Sequence, residues 1–266
     1  MRFLAFSDIS WRKKLDDVEI GPDTFKEIID KTNPDAIFFC GDNVYDSSSN
    51  FGKHFDLISG KTIEYGYDHF ERLLKVLTYA NSKNISCFIL DGNHEKDLLQ
   101  NTVLNNQLED FKNKIRSLKN VVNITEKYLD FRGIKIVGAP YNQERSTLKK
   151  YRDRPVDIII AHAKAGTRPF LFRYNPTLVI SGHSWTNFSQ VINSIFICVN
   201  FSPAYYVLID WVDTDHIIIS YYWKELGYNG FKGKSGIVTG SFINNVLTIK
   251  DADQKYGPDT CSIFIN

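Results

Sequence analysis

The sequence lacks a long apolar run. Its most apolar stretch, residues 191–211, is interrupted by Asn193, Asn200, Pro203 and Asp210, whereas a membrane-spanning helix needs roughly 20 predominantly apolar residues. We therefore interpret this stretch as two strands. The N-terminal segment is too short and too soon polar for a signal peptide. We expect a soluble, cytoplasmic protein with no membrane partner.

Net charge and paired cysteines are also lacking. The 32 Lys and Arg residues nearly balance 31 Asp and Glu residues, which gives a formal net charge of +1. No global field therefore attracts nucleic acid or an anionic membrane, and binding of either would need a local patch. The four cysteines form no C-x-x-C pair, which argues against thiolate-bound zinc. A reducing compartment is the simplest interpretation.

A length of 266 residues with 43% apolar content predicts a single α/β domain that spans residues 1–266. Short apolar runs alternate with amphipathic segments in the first half, an order that predicts a parallel sheet covered by helices. The predicted strands are 2–7, 35–40 and 85–90. The predicted helices are 24–31, 68–82 and 95–118, the last in two pieces.

The second half of the chain has the character of β structure. Short apolar segments bounded by turn residues predict strands at 121–124, 128–131, 134–137, 156–161 and 177–181. We expect a core of two sheets with flanking helices, in four layers. Residues 43–67 fit neither the helical nor the strand period. They form either a lid or substrate loop near the site or a surface excursion with a short helix.

Polar clusters follow five of the predicted strands. They are Ser7-Asp8-Ile9-Ser10, Cys40-Gly41-Asp42-Asn43, Asp91-Gly92-Asn93-His94-Glu95, His162, and Gly182-His183-Ser184-Trp185. In open α/β sheets, ligands bind beyond the carboxyl ends of the strands, so we expect all five clusters on one rim. One such residue is more often a turn or cap residue. Five together indicate a mixed oxygen and nitrogen site for a divalent transition metal.

In their order, these clusters resemble the signature of the calcineurin-like metallophosphoesterase superfamily: D-x-H, G-D, G-N-H-[DE], a lone His, and G-H-x-H. The matching residues are Asp8, Gly41-Asp42, Gly92-Asn93-His94-Glu95, His162 and Gly182-His183. The matches extend from residue 8 to residue 185. The resemblance implies a four-layer α-β-β-α sandwich of two mixed sheets flanked by helices.

Two positions depart from the signature. Ser10 replaces the histidine of D-x-H, and Trp185 replaces the last histidine of G-H-x-H. By the resemblance, these two histidines serve one metal together with Asp8 and the bridging Asp42. The other metal's set is complete: Asp42, Asn93, His162 and His183. We therefore expect one tightly bound Mn, Zn or Fe ion, with at most a weak second ion held by Asp8 and Asp42.

The resemblance also implies the activity, which is hydrolysis of a phosphodiester or phosphomonoester by metal-activated water. The family uses two metals roughly 3.5–4 Å apart, and one metal can still activate water and polarise the phosphoryl group. His94 matches the family histidine that stabilises the transition state or protonates the leaving oxygen. Asp8 is a second catalytic candidate, as an orienter or base for the water.

Residues beside the clusters are candidates for substrate binding. Arg12 follows the first cluster, and Trp185 could stack a base, although a solvated loop charge and a packing residue are the commoner explanations. The substrate is a phosphate ester, with a nucleotide or nucleic acid left open; neutral net charge argues mildly against a processive DNA enzyme. The alternative function is a non-catalytic binding scaffold. Retention of His94 with four complete ligands favours the enzyme, because a scaffold needs neither.

Overall fold

The structure, a computed structural model, describes residues 1–9, 12–15, 18–44, 53–56, 61–64, 68–98, 102–163, 168–183, 187–191, 194–199, 206–224, 235–244 and 246–251. Two mixed sheets face each other across a shared apolar core, and helices cover the outer face of each. This arrangement confirms the predicted α/β sandwich of two mixed sheets flanked by helices.

The first sheet has eight strands, half of them parallel. The parallel strands, in spatial order, are β1 (Arg2–Phe6), β4 (Ala36–Cys40), β7 (Ser86–Leu90) and β8 (Val121–Asn123). An antiparallel meander continues the sheet beyond β1. Its strands are β15 (Tyr206–Asp213), β16 (His216–Lys224), β17 (Ser235–Ile243) and β18 (Val246–Asp251).

The second sheet has six strands with a parallel centre. The parallel strands are β10 (Ile134–Ala139), β11 (Ile158–His162), β12 (Leu178–Gly182) and β14 (Ser194–Cys198). Antiparallel strands β9 (Tyr128–Phe131) and β13 (Asn187–Val191) form its two edges.

The helices connect strands along the chain and pack on the outer faces of the two sheets. They are α1 (Pro22–Thr32), α2 (Asp68–Ser82), α3 (Asn93–Leu98), α4 (Thr102–Arg116), α5 (Glu144–Lys150) and α6 (Arg168–Leu171), the last followed by a 3-10 turn at Phe172–Tyr174. Helix α1 shows why they begin and end where they do. Proline occupies its first turn, where a backbone N–H would have no partner within the helix. Asn33 ends it in the left-handed conformation (φ 43°) and donates to Ile29 O (2.8 Å).

Successive side chains of a strand point to opposite faces of its sheet, and this alternation separates the core between the sheets from the cores under the helices. In the wholly buried strand β4, Phe38 packs in the core between the sheets, whereas its neighbours Ile37 and Phe39 pack under the helices of the first sheet. Strand β11 repeats the pattern, with Ile160 in the shared core and Ile159 under the outer helices. Such strands, buried on both faces, appear in the sequence as continuous apolar runs.

Residues 43–67, the predicted irregular insert, are described only in part. Strands β5 (Lys53–Asp56) and β6 (Lys61–Glu64) pair antiparallel within it, where no strand was predicted. Its role as a lid or substrate loop stays a prediction. A second small ladder joins β2 (Arg12–Leu15) to β3 (Val18–Ile20), where no strand was predicted. The predicted two-piece helix between residues 95 and 118 is confirmed as α3 and α4.

Candidate metal centre

The five polar clusters lie at the carboxyl ends of β1, β4, β7, β11 and β12. Backbone hydrogen bonds continue past the strand ends, from Asp8 N to Gly41 O (3.0 Å) and from Ile9 N to Asp42 O (2.9 Å). Three residues here adopt the left-handed conformation: Asp8 (φ 52°), Asp42 (φ 50°) and His183 (φ 65°). This conformation is uncommon for residues other than glycine, although Asp and His adopt it more readily than most. Three such residues in one small region are typical of a functional site.

Glycines let these loops approach one another. A Cβ on Gly182 would lie 1.8 Å from Ser7 Oγ, and one on Gly41, whose φ is +92°, would lie 2.4 Å from His162 Nδ1. A Cβ on Gly92 would lie 2.2 Å from Asp42 Oδ1. No side chain fits at such distances, so three of the signature glycines serve the assembly of the site itself.

The fully buried His162 is the centre of the donor cluster. Its Nδ1 lies 2.9 Å from Cys40 O, and only a protonated Nδ1 can make that hydrogen bond. Nε2 lies 3.1 Å from both Asp42 Oδ2 and Asn93 Oδ1. This nitrogen therefore faces two oxygen acceptors, an arrangement that needs either a proton on Nε2 or a metal cation beside it.

The electrostatics of this point favour a cation. Burial alone would lower the pKa of His162, but the hydrogen bond and the negative charge of Asp42 outweigh it and raise the pKa to about 9. Burial likewise opposes the charge of Asp42, whereas the hydrogen bond and positive charge of His162 hold the pKa of that carboxyl below its usual range. Asp42 thus stays negatively charged in a buried site, and this charge favours a positive charge beside it.

His183 completes the group. One donor atom from each of Asp42, His162 and His183 lies within 4.8 Å of the other two, and the His162 and His183 rings are 5.0 Å apart between centroids. With Asn93 this gives two imidazoles, a carboxylate and an amide oxygen. Such a donor set suits Mn, Fe or Zn, so the residues present fit a divalent transition metal.

Asp8 lies at the edge of this cluster and outside the converging group. Its Oδ2 accepts hydrogen bonds from Ser7 Oγ (2.7 Å) and from the backbone N–H of His183 (2.9 Å). Burial and the nearby charge of Asp42 raise the pKa of Asp8 to about 6, against the opposite effect of His162. The carboxylate therefore positions the loop that carries His183.

Glu95 supports the site through the backbone. Oε1 accepts from Asn43 N (2.6 Å) and Val44 N (3.2 Å), and Oε2 accepts from Asp42 N (3.0 Å) and Gly92 N (2.8 Å). Burial, with the charges of Asp42 and Asp91, raises the pKa of Glu95 to about 8. The four backbone N–H groups oppose this rise in pKa. Each needs an acceptor, and together they use both carboxylate oxygens, so a proton on either oxygen would compete with them. We conclude that the carboxylate form is the one that joins the loops after β4 and β7.

His94 lies beside the donor cluster and is partly exposed. Its backbone N–H donates to Asp42 Oδ1 (2.9 Å), which fixes the start of α3, and its Nε2 is 3.8 Å from Asp42 Oδ2. The side chain is 22% exposed, whereas that of His162 is fully buried. His94 is therefore accessible to a ligand that enters from solvent.

Tyr141 is a site residue that sequence reasoning missed. Its ring centroid lies 4.7 Å from that of His183 and 6.0 Å from that of His162. It follows the end of β10, so the rule that located the other clusters at strand ends could have found it. The supporting role of Glu95 was also missed, although the residue itself belongs to the recognised motif.

Several predicted residues lie outside the part of the chain that is described. Ser10 and Trp185, the two departures from the signature, are among them. Arg12 belongs to β2, but its side chain is not described. The proposed roles of these three residues therefore stay predictions.

The fold and the donor set at its strand ends together define a metallohydrolase-like α/β sandwich. The family model described as calcineurin-like phosphoesterase matches residues 1–186. The chain belongs to this family.

Solved structures agree with this fold. The protein TT1561 of Thermus thermophilus is similar with a TM-score of 0.53 and 13% identity, over 88% of this chain and 97% of that one. Another crystal structure gives a TM-score of 0.54 with 15% identity, over 79% of this chain and 94% of that one. At these identities the likeness shows the fold alone. No curated protein matches the chain.

Across the described residues, every helix is too short or too polar to cross a bilayer.

Proposed function

We propose that the protein is a metal-dependent phosphoesterase with one tight metal site, which hydrolyses a phosphodiester or phosphomonoester. Membership of the calcineurin-like phosphoesterase family supports metal-dependent phosphoester chemistry in general. The observation that carries the proposal is the position of His162 Nε2, which lies 3.1 Å from Asp42 Oδ2 and 3.1 Å from Asn93 Oδ1, with a donor atom of His183 within 4.8 Å.

The ligands would be Asp42, Asn93, His162 and His183. A divalent ion there supplies Lewis-acid polarisation of the phosphoryl group and lowers the pKa of water. The protein holds the four donors in place beforehand, through Cys40 O on His162 and through Glu95 on the loop of Asp42. Because the donors are already oriented, little reorganisation accompanies binding of the ion.

His94 is the proposed general acid. It is partly exposed, lies next to Asp42 and is not one of the four proposed ligands, so it can reach the leaving oxygen of an ester placed over the ligands. A proton on His94 would pass to that oxygen as the bond to phosphorus breaks. Such a contribution is typically 10²–10⁴-fold in rate. Asp8 is the proposed orienter or base for the attacking water.

Hydrolysis of bis(p-nitrophenyl) phosphate and p-nitrophenyl phosphate with Mn²⁺ tests the proposal. We expect His94→Ala to lower kcat by at least about 10² without loss of metal. We expect His183→Ala to lose metal and activity together. His216→Ala is the matched control, because His216 begins β16 and pairs with Asp213, at the opposite end of the sheet from the strand ends that form the site.

The competing function is a binding scaffold without catalysis. A folded protein that binds no metal under saturating Mn²⁺ or Zn²⁺ and hydrolyses neither ester would support the scaffold and refute the enzyme. Equal loss of metal in His94→Ala and His183→Ala would show that the ligand set is misassigned.

A further inference from the structure

Helix α5 and the turn after it carry an uneven charge. Residues 144–154 contain five cationic side chains and two acidic ones, and one of the acids, Glu144, is only 2% exposed. The whole chain has a net charge of only +1, so this segment concentrates positive charge that the rest of the molecule balances. All five cations are exposed: Arg145, Lys149, Lys150, Arg152 and Arg154.

Cations on the other flank of the molecule are neutralised locally. On or directly after helices α1, α2 and α4, each of several lysines lies close to a carboxylate: Lys26 to Asp23 (2.8 Å), Lys75 to Glu71 (2.9 Å), Lys83 to Asp30 (3.1 Å), Lys112 to Glu109 (3.1 Å) and Lys114 to Asp110 (2.6 Å). Among the described residues, the ion pair on the α5 segment is Arg152 with Asp153 (3.4 Å). Within the described part of the chain, no carboxylate forms an ion pair with the other four cations of this segment, which therefore presents net positive charge.

Aromatic rings lie against several cations of this region. The guanidinium groups of Arg145 and Arg173 each lie 5.5 Å from the ring centroid of Phe170. That of Arg154 lies 5.1 Å from Tyr128 and 5.8 Å from Tyr151. Cation–π contacts hold such groups in place without neutralising them, so less conformational entropy is lost when an anion binds. We name this surface the α5 face: the five α5 cations, Arg173, and the rings of Tyr128, Tyr151 and Phe170.

The α5 face adjoins the candidate metal centre. Helix α5 begins at Glu144, three residues after Tyr141, whose ring is 4.7 Å from that of His183. The basic segment then continues to Arg154, just before Val156 and strand β11. A polyanion bound along the segment would therefore have one end beside the metal ligands.

The chemistry of the face favours nucleic acid over a membrane. Cations interleaved with aromatic rings suit phosphates and bases. A membrane-binding surface also needs exposed apolar side chains to insert. The exposed large apolar residues of the described chain are Met1, Val122, Val212, Ile243 and Val246, and none belongs to the α5 face.

We propose that the α5 face binds single-stranded nucleic acid and leads the strand to the metal centre. The binding itself is independent of catalysis. The further step, that a phosphodiester of this strand is the substrate, rests on the proposed function.

Fluorescence anisotropy with a labelled oligothymidylate of about 15 nucleotides, in EDTA so that hydrolysis plays no part, tests binding separately from activity. The variant is Arg145→Gln/Lys149→Gln/Lys150→Gln, in which glutamine preserves helix propensity. The control is Lys26→Gln/Lys75→Gln/Lys114→Gln, which removes the same charge from α1, α2 and α4. Circular dichroism checks that both variants are folded.

We expect the α5 variant to lose at least about tenfold in affinity at low salt, and its slope of log affinity against log salt to fall by about two units, since each lost phosphate contact on a single strand removes about 0.7. The control variant should keep both the affinity and the salt slope close to those of the native protein. The proposal is overturned if the native chain does not bind the oligonucleotide, if both variants lose affinity equally, or if vesicles of phosphatidylserine and phosphatidylcholine bind the face and the oligonucleotide does not.

Discussion

The carboxylate of Glu95 accepts a hydrogen bond from the backbone N–H of Asp42 at 3.0 Å. Through this contact the motif that supplies Asn93 and His94 fixes the loop that supplies Asp42. The same carboxylate accepts three further hydrogen bonds, from the backbone N–H groups of Asn43, Val44 and Gly92. The position of Asp42, a proposed metal ligand, therefore depends on the buried carboxylate of Glu95, which is not itself a proposed ligand.

Substitution Glu95→Gln tests this dependence. A glutamine amide offers one acceptor oxygen and directs an NH₂ group at backbone donors, so buried N–H groups lose their partner. We expect the free energy of unfolding to fall by about 1–3 kcal/mol and metal affinity to fall about 10–100-fold, measured by urea unfolding and by metal titration.

The matched control for this substitution is Glu109→Gln. Glu109 is exposed on α4 and pairs with Lys112 at 3.1 Å, and such surface pairs contribute about 0–1 kcal/mol. An equal effect of the two substitutions on stability and on metal affinity would refute the role assigned to Glu95.

Gly182 provides a steric test of how the site is assembled. A methyl group there would lie 1.8 Å from Ser7 Oγ and 2.8 Å from Cys40 O, so the loops after β1, β4 and β12 could not all keep their places. We expect Gly182→Ala to destabilise the fold by about 1–3 kcal/mol or more and to lose metal. Thermal unfolding and metal analysis measure the two effects.

The comparison for Gly182 is Gly133→Ala. Gly133 has a φ of +91°, which strains any other residue, but nothing lies within 4 Å of the added carbon. Its substitution should cost only the backbone strain, about 1–2 kcal/mol, and should leave metal binding unchanged. A Gly182→Ala protein that retains metal at native affinity would contradict the account of the crowded strand ends.

Most of the fold could be predicted from the pattern of apolar and polar residues along the sequence. Strand β4 and strand β11 are buried on both faces, so they appear as continuous apolar runs that point to a layered α/β architecture. The donor residues could be located for a related reason. Parallel strands end on one rim, so Asp42, Asn93 and His162 could be expected to meet although they are far apart along the chain.

What the sequence did not reveal has physical reasons as well. Helix α5 has seven residues and strand β3 has three, which is too few for a period to emerge. The role of Glu95 depends on backbone donors more than 50 positions away, and backbone groups leave no mark on the sequence. The charge of residues 144–154 is visible in the sequence, but the aromatic contacts of Arg145 and Arg154 and the scarcity of ion pairs on the α5 face appear only in the fold.

The two departures from the family signature allow a gain-of-function test. Ser10→His together with Trp185→His restores the two histidines that the resemblance assigns to the other metal. We expect the folded double variant to bind a second transition-metal ion, since two imidazoles would join Asp8 and Asp42. Neither single variant should suffice, because three ligands leave an open, weak site. Isothermal titration with Mn²⁺ measures the number of sites.

Removal of Trp185 changes packing volume as well as ligation, so Trp185→Ala serves as the control for stability. A correctly folded double variant that is saturated with Mn²⁺ and still holds one ion would show that the two substitutions do not account for the reduced site.

The central claim is that Asp42, Asn93, His162 and His183 form one complete metal site in a family whose signature carries ligands for two. Metal content per chain, measured by elemental analysis of the purified protein after saturation with Mn²⁺ and removal of loosely bound ions, tests it most directly. We predict a value near one that falls to near zero in His162→Ala. Two tightly held ions per chain, or one ion that survives His162→Ala, would contradict it.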